Sequence, residues 1–512
     1  MKIVLRSLSF SVYPKTQEQK NLCVAHASQF ISYKMEMLPG GIKVRTPDKF
    51  YGSRNITSEY FNFHINTFER FKEKVEHASK YQCWDYTIEK VPMYEPMKVK
   101  YNFNPNIKLR DYQEDVVNFA MKRLDPSVSY RNMILGIQTG KGKGISSMYV
   151  AALLGYTICI IIKPSFIDKW IVEMKEVLGL SDRDFNVIKG GGSLRKLTKL
   201  AAKGKYKIPV TIISNRTYQG FLTDFKRTPD QFKEMGYKCN PFELMEKLRI
   251  GFLLRDEIHL DFHLNFEIDT FTHIYSSMAL SATLVSNDRF MMDMYEVMFP
   301  SECRYDGGAY DRYVDIYPYY YHINSMKGIR TSFSGPGGFY AHNAFEMSIM
   351  RDKIKFKNYL DLINKSLKDS FFRNPREKKK AIIYCSTIEM CGFVAKYLKQ
   401  LHPHLDVRRY VGEDPYENMI EPDIRVSTIG SGSTAHDIPD LVTVVMTQAI
   451  DSLQSNLQSI GRLRRLSDNP KLEFIYFVCD EIQKHKDYHN NKMKLFKDRA
   501  KTITPVQSGV WI

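Results

Sequence analysis

Hydrophobic positions in the first hundred residues come in short stretches. Residues 3–12, 42–45 and 60–63 alternate apolar and polar side chains with the period of two that predicts strands. Residues 67–80 repeat every three to four positions, as a helix does. The pattern predicts a small mixed α/β module over residues 1–104, leaving through an extended connection at 98–106 that Pro105 breaks. From about residue 107 the rhythm changes to brief, almost wholly apolar runs separated by helical patterns. Such runs fall at 133–136, 157–162, 209–214 and 250–254, and a second series near residue 380 at 381–385, 424–428, 441–447 and 474–478. Strands that read as continuous apolar runs between helices belong to parallel sheets covered on both faces. The expected fold is therefore α/β: an accessory module, one parallel-sheet lobe at 105–310, a second at 311–480, and a basic tail at 481–512. The segment 325–341, rich in glycine and serine with Pro336, reads as an exposed loop, and 376–380 as a basic lead-in to a strand. No repeat of 20–50 residues is evident.

Composition narrows the class. At 43% hydrophobic and 13% aromatic residues, the 512-residue chain can bury large cores, which excludes wholesale disorder. Lysine and arginine outnumber aspartate and glutamate 74 to 57, for a formal charge of +17, so a polyanion is the first partner to consider. The first hundred residues hold 16 basic and 10 acidic side chains, and the tail from Glu481 holds seven and three. Eight cysteines are scattered with no C-x-x-C pair, which disfavours zinc and disulfides and fits a reducing compartment. There is no continuous apolar signal core at the start, and no apolar run approaches the ~20 residues that span a bilayer. A cytoplasmic protein without a membrane partner is expected.

The segment MILGIQTGKGKGI at 133–145 runs from an apolar strand into a glycine-rich turn and then a helix. Backbone N–H groups in such a turn can face phosphate oxygens, and the helix start adds a favourable dipole. Thr139, Gly140, Lys141, Gly142, Lys143, Gly144 and Ile145 are the candidate cradle, with Lys143 reaching the outer phosphates of a bound nucleotide. Two positions depart from the phosphate-loop pattern: Ile137 stands where its first glycine belongs, and Gly144 where a hydroxyl usually binds Mg²⁺. Either a carboxylate further along the chain, Asp256, suffices there with ordered water, or a nearby hydroxyl from Thr139, Ser146 or Ser147 partly substitutes. About a hundred residues on, another apolar run, at 250–254, leads through Arg255 to Asp256 and Glu257. Open α/β sheets bind ligands beyond the carboxyl ends of their strands, so Asp256 is expected to hold Mg²⁺ and Glu257 to orient and deprotonate an attacking water. Nothing in the sequence accounts for Arg255, where an apolar residue is commoner.

In order along the chain, these features resemble the motifs of superfamily-two helicases. DEIH at 256–259 looks like their DExH box, and the lysine loop like their T-G-x-G-K motif. LRDYQ at 109–113 resembles the adenine-reading segment, implying base contacts from Arg110 and Gln113. KPSFIDKW at 163–170 resembles the motif that follows the nucleic-acid backbone, implying Pro164, Ser165 and Lys169 as contacts. Ser281-Ala-Thr283 is identical to the motif that couples hydrolysis to lobe movement, a role the resemblance extends to His259. QSIGRLRR at 458–465 is a full Q-x-x-G-R-x-x-R motif, from which Gln458 would meet the nucleotide and Arg462 and Arg465 would act as arginine fingers. Three residues apart, those arginines are expected on one helix face. Residues 427–439 resemble a further motif with Ala435 in place of its usual glycine, implying Thr428 for the polymer and Asp437 for the nucleotide.

The resemblance covers roughly residues 107–480 and implies two RecA-like lobes, ATP and Mg²⁺ as cofactors, and a nucleic-acid partner. The accessory-module-plus-two-lobes plan, with IKGGGS at 188–193, is similar to the phage UvsW-type branch-migration helicases, which implies branched DNA and a role in recombination, replication or repair. Three alternatives stay open: an RNA helicase, a translocase of the restriction or remodelling type, and a nucleic-acid-binding protein that does not turn over. Basic residues together with Tyr51, Tyr60 and Phe61 make the first hundred residues a candidate duplex grip, unless those rings form its core.

Overall fold

The computed structural model describes residues 1–37, 43–54, 59–82, 84–138, 140–227, 231–281, 288–307, 311–331, 340–412, 414–432 and 438–512. The N-terminal strands are β1 (Lys2–Leu5), β2 (Ser9–Tyr13), β3 (Ile31–Met37), β4 (Lys43–Phe50), β5 (Ser53–Arg54), β6 (Phe61–His64) and β7 (Thr87–Lys90). Five of them form a sheet in the order β5-β6-β2-β1-β7, and β3 pairs with β4 as a separate hairpin. The alternating stretch at 3–12 is thus a hairpin, not one strand. Arg6 and Ser7 interrupt its apolar face, and Arg6 N–H donates to Ser9 O at 2.8 Å to turn the chain. The helix read at 67–80 is Phe68–Gln82.

This module does not stand apart. Its Phe10, Phe61, Phe63 and Phe71 belong to one buried cluster with Ile134, Ile258, Phe262 and Phe266 of the following lobe. Tyr51 and Phe61 are buried, so two of the three rings considered for a duplex grip are core instead. Tyr51 packs against Phe262, Phe266 and Phe290.

The first lobe contributes β8 (Asn132–Gly136), β9 (Ile158–Ile162), β10 (Phe185–Ile188), β11 (Val210–Ser214), β12 (Phe252–Arg255), β13 (Ser276–Ser281) and β14 (Arg304–Asp306). They form a sheet in the order β10-β11-β9-β12-β13-β8-β14, every pair parallel. Apolar clusters cover both faces, one around Trp170 and Met174, the other around Tyr218 and Phe221. Parallel strands deliver all their carboxyl ends to one edge, which brings together the segments after β8, β9 and β12 and the end of β13 at Ser281.

The second lobe repeats the plan with β15 (Val314–His322), β16 (Lys380–Cys385), β17 (Val407–Tyr410), β18 (Ile424–Thr428), β19 (Leu441–Met446), β20 (Leu472–Cys479), β21 (Thr502–Ile503) and β22 (Val506–Trp511). Its order is β17-β18-β16-β19-β20-β15-β21, with β22 also on β15. The pattern at 314–322 gave no strand because Pro318 interrupts it, and proline cannot donate to a ladder. Here Pro318 falls between the stretch of β15 that pairs with β21 and the stretch that pairs with β22. The segment set apart as a tail is likewise part of this sheet: after the helix Gln483–Phe496 the chain returns as β21 and β22 along β15. Among the described residues no helix is long and apolar enough to cross a membrane.

His26 is enclosed by Phe10, Phe30, Phe63 and Phe71, and neither ring nitrogen has a hydrogen-bond partner. Burial, reinforced by Lys74 and Arg70, pulls its pKa down to about 3. The unfolded chain therefore takes up this proton first, so His26 costs stability progressively as pH falls below ~6.5 toward 3. His26→Leu should flatten the decline of melting temperature between pH 6.5 and 4; an unchanged slope would remove His26 as a source of acid sensitivity.

Candidate active site between the lobes

The turn after β8 needs glycine for its backbone. Gly140 and Gly142 have φ of +85° and +74°, and a Cβ on Gly142 would run into the Gln113 side-chain amide. Lys143 opens the helix Lys143–Leu154 and its ammonium donates to Ile137 O at 3.0 Å. Burial lowers the Lys143 pKa, against the opposing pull of Glu257 and Asp256. Gln113 is buried; its Oε1 accepts from Arg110 N at 3.0 Å and its Nε2 reaches Gly142 O at 3.5 Å. This amide, expected at a nucleotide base, thus braces the turn. Tyr112 joins the brace, its hydroxyl donating to Lys141 O at 3.2 Å and receiving Arg110 Nη1 at 3.2 Å. The Lys141 ammonium pairs with Asp311, at the start of the second lobe.

β12 delivers the acid pair. Asp256 accepts from Glu257 N–H at 2.8 Å and from Trp170 Nε1–H at 3.0 Å. Burial, then the neighbouring Glu257 charge, raises its pKa. Glu257 sits in the left-handed region at φ +48°, a strained conformation for a residue with a Cβ and one that clusters at functional sites. The preceding Arg255 now has an account. It points away from the cavity and is fully buried, with Nη1 on Asp269 at 2.7 Å and Nη2 on Ser277 Oγ at 3.1 Å. The other Asp269 oxygen lies 3.6 Å from His64 Nε2 of the N-terminal module. One buried ion pair therefore ties β12, the helix Phe262–Phe271 and the accessory sheet together immediately beneath the acids.

The second lobe closes the site. The helix Leu453–Ile460 ends at Gly461, so Arg462, Arg464 and Arg465 lie on the turn that follows it and not on a helix face. That changes which arginine goes where. Arg462 and Arg464 line a cavity of about 480 Å³ together with Gln458, Lys143, Asp256 and Glu257. Arg465 faces an adjoining cavity of about 720 Å³ beside Arg110, Lys141 and Asp311. Across the cleft, Gln458 Nε2 stands 2.8 Å from His259 Nε2, and His259 Nδ1 stands 2.7 Å from Ser281 Oγ. Burial pulls the His259 pKa down to about 3, so the ring is neutral. A neutral ring accepts from Gln458 through Nε2 while donating to Ser281 through Nδ1.

Gly140, Gly142, Gly144 and Ile145 also line the 480 Å³ cavity. Lys169, expected on a polymer backbone, lines it as well and pairs with Glu173 at 3.6 Å. Pro164 and Ser165 form the short turn Pro164–Phe166 after β9. Thr428 ends β18, where its Oγ1 receives Ser431 N–H at 3.3 Å. Thr139, Thr283 and Asp437 lie outside the described residues. Sequence reasoning missed Trp170, Glu173 and Arg464. For Arg464 the signal was the third arginine in RLRR; for Trp170 and Glu173 it was their i, i+3 spacing on the helix Ile167–Leu178, which turns both toward the site.

No known family profile and no curated protein matches the chain. Among solved structures it is similar to a fragment from Vibrio vulnificus YJ016 described as an HsdR subunit of a type I restriction enzyme, at 13% identity and a TM-score of 0.50. The likeness covers 96% of this chain and 83% of that one. At this identity it establishes the fold, two RecA-like lobes preceded by a small α/β domain.

Breaking a buried ion pair leaves an uncompensated charge, at about 3–5 kcal/mol. Asp269→Asn should lower unfolding free energy in urea by about that amount, whereas a loss below ~1 kcal/mol would mean that Arg255 is held by its other partners.

Proposed function

We propose that this chain is an ATP-driven motor that moves along DNA. The observation that carries the reading is the convergence on one cavity of Lys143, Asp256 and Glu257 from the first lobe with Gln458, Arg462 and Arg464 from the second. A site completed only when two lobes meet suits a nucleotide whose binding and loss open and close a cleft. Lys143, Arg462 and Arg464 supply the positive charge for a triphosphate. Asp256 and Glu257 supply the carboxylates, and the glycine turn leaves its backbone close to the phosphate path. This donor set fits Mg²⁺, which commonly binds through one or two carboxylates plus substrate phosphates. When bound, that ion neutralises charge on the outer phosphates. Asp256 would hold it, Glu257 would orient and deprotonate the attacking water, and the arginines would stabilise charge on the transferred phosphoryl group. His259, bonded to Ser281 in one lobe and Gln458 in the other, would report the state of the acids to the cleft. Arg465, in the adjoining cavity, would reach the nucleotide only as the cleft closes. Pro164, Ser165 and Thr428 are the proposed backbone contacts, largely independent of sequence and sensitive to salt.

The sequence resemblance supports branched DNA as substrate, with work in branch migration or in fork and D-loop unwinding. A second reading, a translocase subunit of the restriction type, draws support from the name of the similar structure. Unwinding and ATP hydrolysis compared on four-way junctions, forked DNA, linear duplex DNA and duplex RNA separate these readings. Branch migration on junctions supports the first, and hydrolysis on linear duplex without strand separation supports the second. Hydrolysis unchanged by any polymer would sink both. Removing a general base typically costs roughly 10²–10⁴-fold. Glu257→Gln should thus lose turnover to that extent and still bind ATP; near-normal turnover would show that another group activates the water.

A further inference from the structure

The phosphate loop lacks its usual hydroxyl at Gly144, and the structure puts a carboxylate in the space that side chain would enter. A Cβ built on Gly144 would lie 3.3 Å from Glu173 Oε2. Glu173 comes from the helix Ile167–Leu178, one turn beyond Trp170, whose indole holds Asp256. Its other oxygen, Oε1, lies 3.6 Å from the Lys169 ammonium. Oε2 is the oxygen next to the loop glycine. The neighbouring serines do not serve this place. Ser147 Oγ donates to Gly144 O at 2.8 Å, and both Ser146 and Ser147 are buried within the helix, away from the cavity lining. Glu173 does line the cavity, together with Gly144, Lys143 and Asp256. Among the described residues no three acidic, histidine or cysteine side chains are close enough to hold a metal unaided.

Resting on the nucleotide reading above, we infer that Glu173 replaces the missing loop hydroxyl as the protein's second ligand group, beside Asp256, for the divalent cation that accompanies the nucleotide. The exchange has a steric logic. A serine or threonine at 144 would crowd Glu173, so glycine in the loop and glutamate on the helix form one matched pair. It also has an electrostatic consequence. A carboxylate adds a negative charge that a hydroxyl does not, and Lys169 stands beside it to offset that charge.

The test is the affinity of Mn²⁺, as a spin-active stand-in for Mg²⁺, measured by electron paramagnetic resonance with the full chain and a non-hydrolysable ATP analogue. Glu173→Gln should weaken Mn²⁺ binding at least tenfold and should not weaken metal-free binding of the analogue, because it removes a negative charge from the cavity. The double variant Glu173→Ala with Gly144→Ser, which returns the hydroxyl and clears its space, should recover most of the affinity. Unchanged Mn²⁺ affinity in Glu173→Gln would overturn the assignment. So would a loss that the double variant fails to recover, because Glu173 would then act through Lys169 and not on the ion. Failure of the unaltered chain to bind the analogue at all would overturn the nucleotide reading itself, a distinct result.

Discussion

The hydrogen bond between His259 and Gln458, 2.8 Å across the cleft, is a contact through which the two lobes meet beside the acids. It depends on the charge state of one ring. Buried and held neutral, His259 has a single N–H, which serves Ser281, and a single lone pair, which serves Gln458. A second proton would set two donors against each other. With its pKa near 3, the ring stays neutral throughout the physiological range, and the junction is insensitive to pH there. His259 also lies 3.4 Å from Glu257.

What holds the acids still lies beneath them. Arg255 and Asp269 form a fully buried pair, and Asp269 extends that contact to His64 of the accessory module. The same module shares an apolar cluster with the first lobe and adds backbone ties, such as Ser7 N–H to His273 Nδ1 at 3.1 Å and Ile274 N–H to Ser7 Oγ at 2.8 Å. The accessory domain is thus a buttress of β12 and its neighbours.

Much of the architecture was legible in the chain because parallel strands buried on both faces are unbroken apolar runs. β9 and β19 could be read directly for that reason. β13 could not, since Ser276, Ser277 and Ser281 interrupt it, and these serines are buried and used as hydrogen-bonding groups. β15 was hidden by Pro318 and the end of the chain by its charge, because edge pairing leaves no apolar signature. At the site, spacing located the loop, the acids and the arginine segment. It did not place side chains: helix periodicity put Arg462 and Arg465 on one face, whereas the helix ends at Gly461 and Arg464 lines the cavity beside Arg462. The same holds for Gln113, which braces the glycine turn, and for Lys169, which lines the cavity. Their resemblance to motif positions said which segment they belong to, not which way they face.

The central claim is that the cleft between the lobes binds ATP with Mg²⁺ through Lys143. It is tested most directly by the dissociation constant of a non-hydrolysable ATP analogue with Mg²⁺, measured for the unaltered chain and for Lys143→Ala. The account predicts saturable binding that the substitution weakens at least ~10-fold, equivalent to ~1.4 kcal/mol. Equal affinity in the two proteins, or no binding in either, would contradict it.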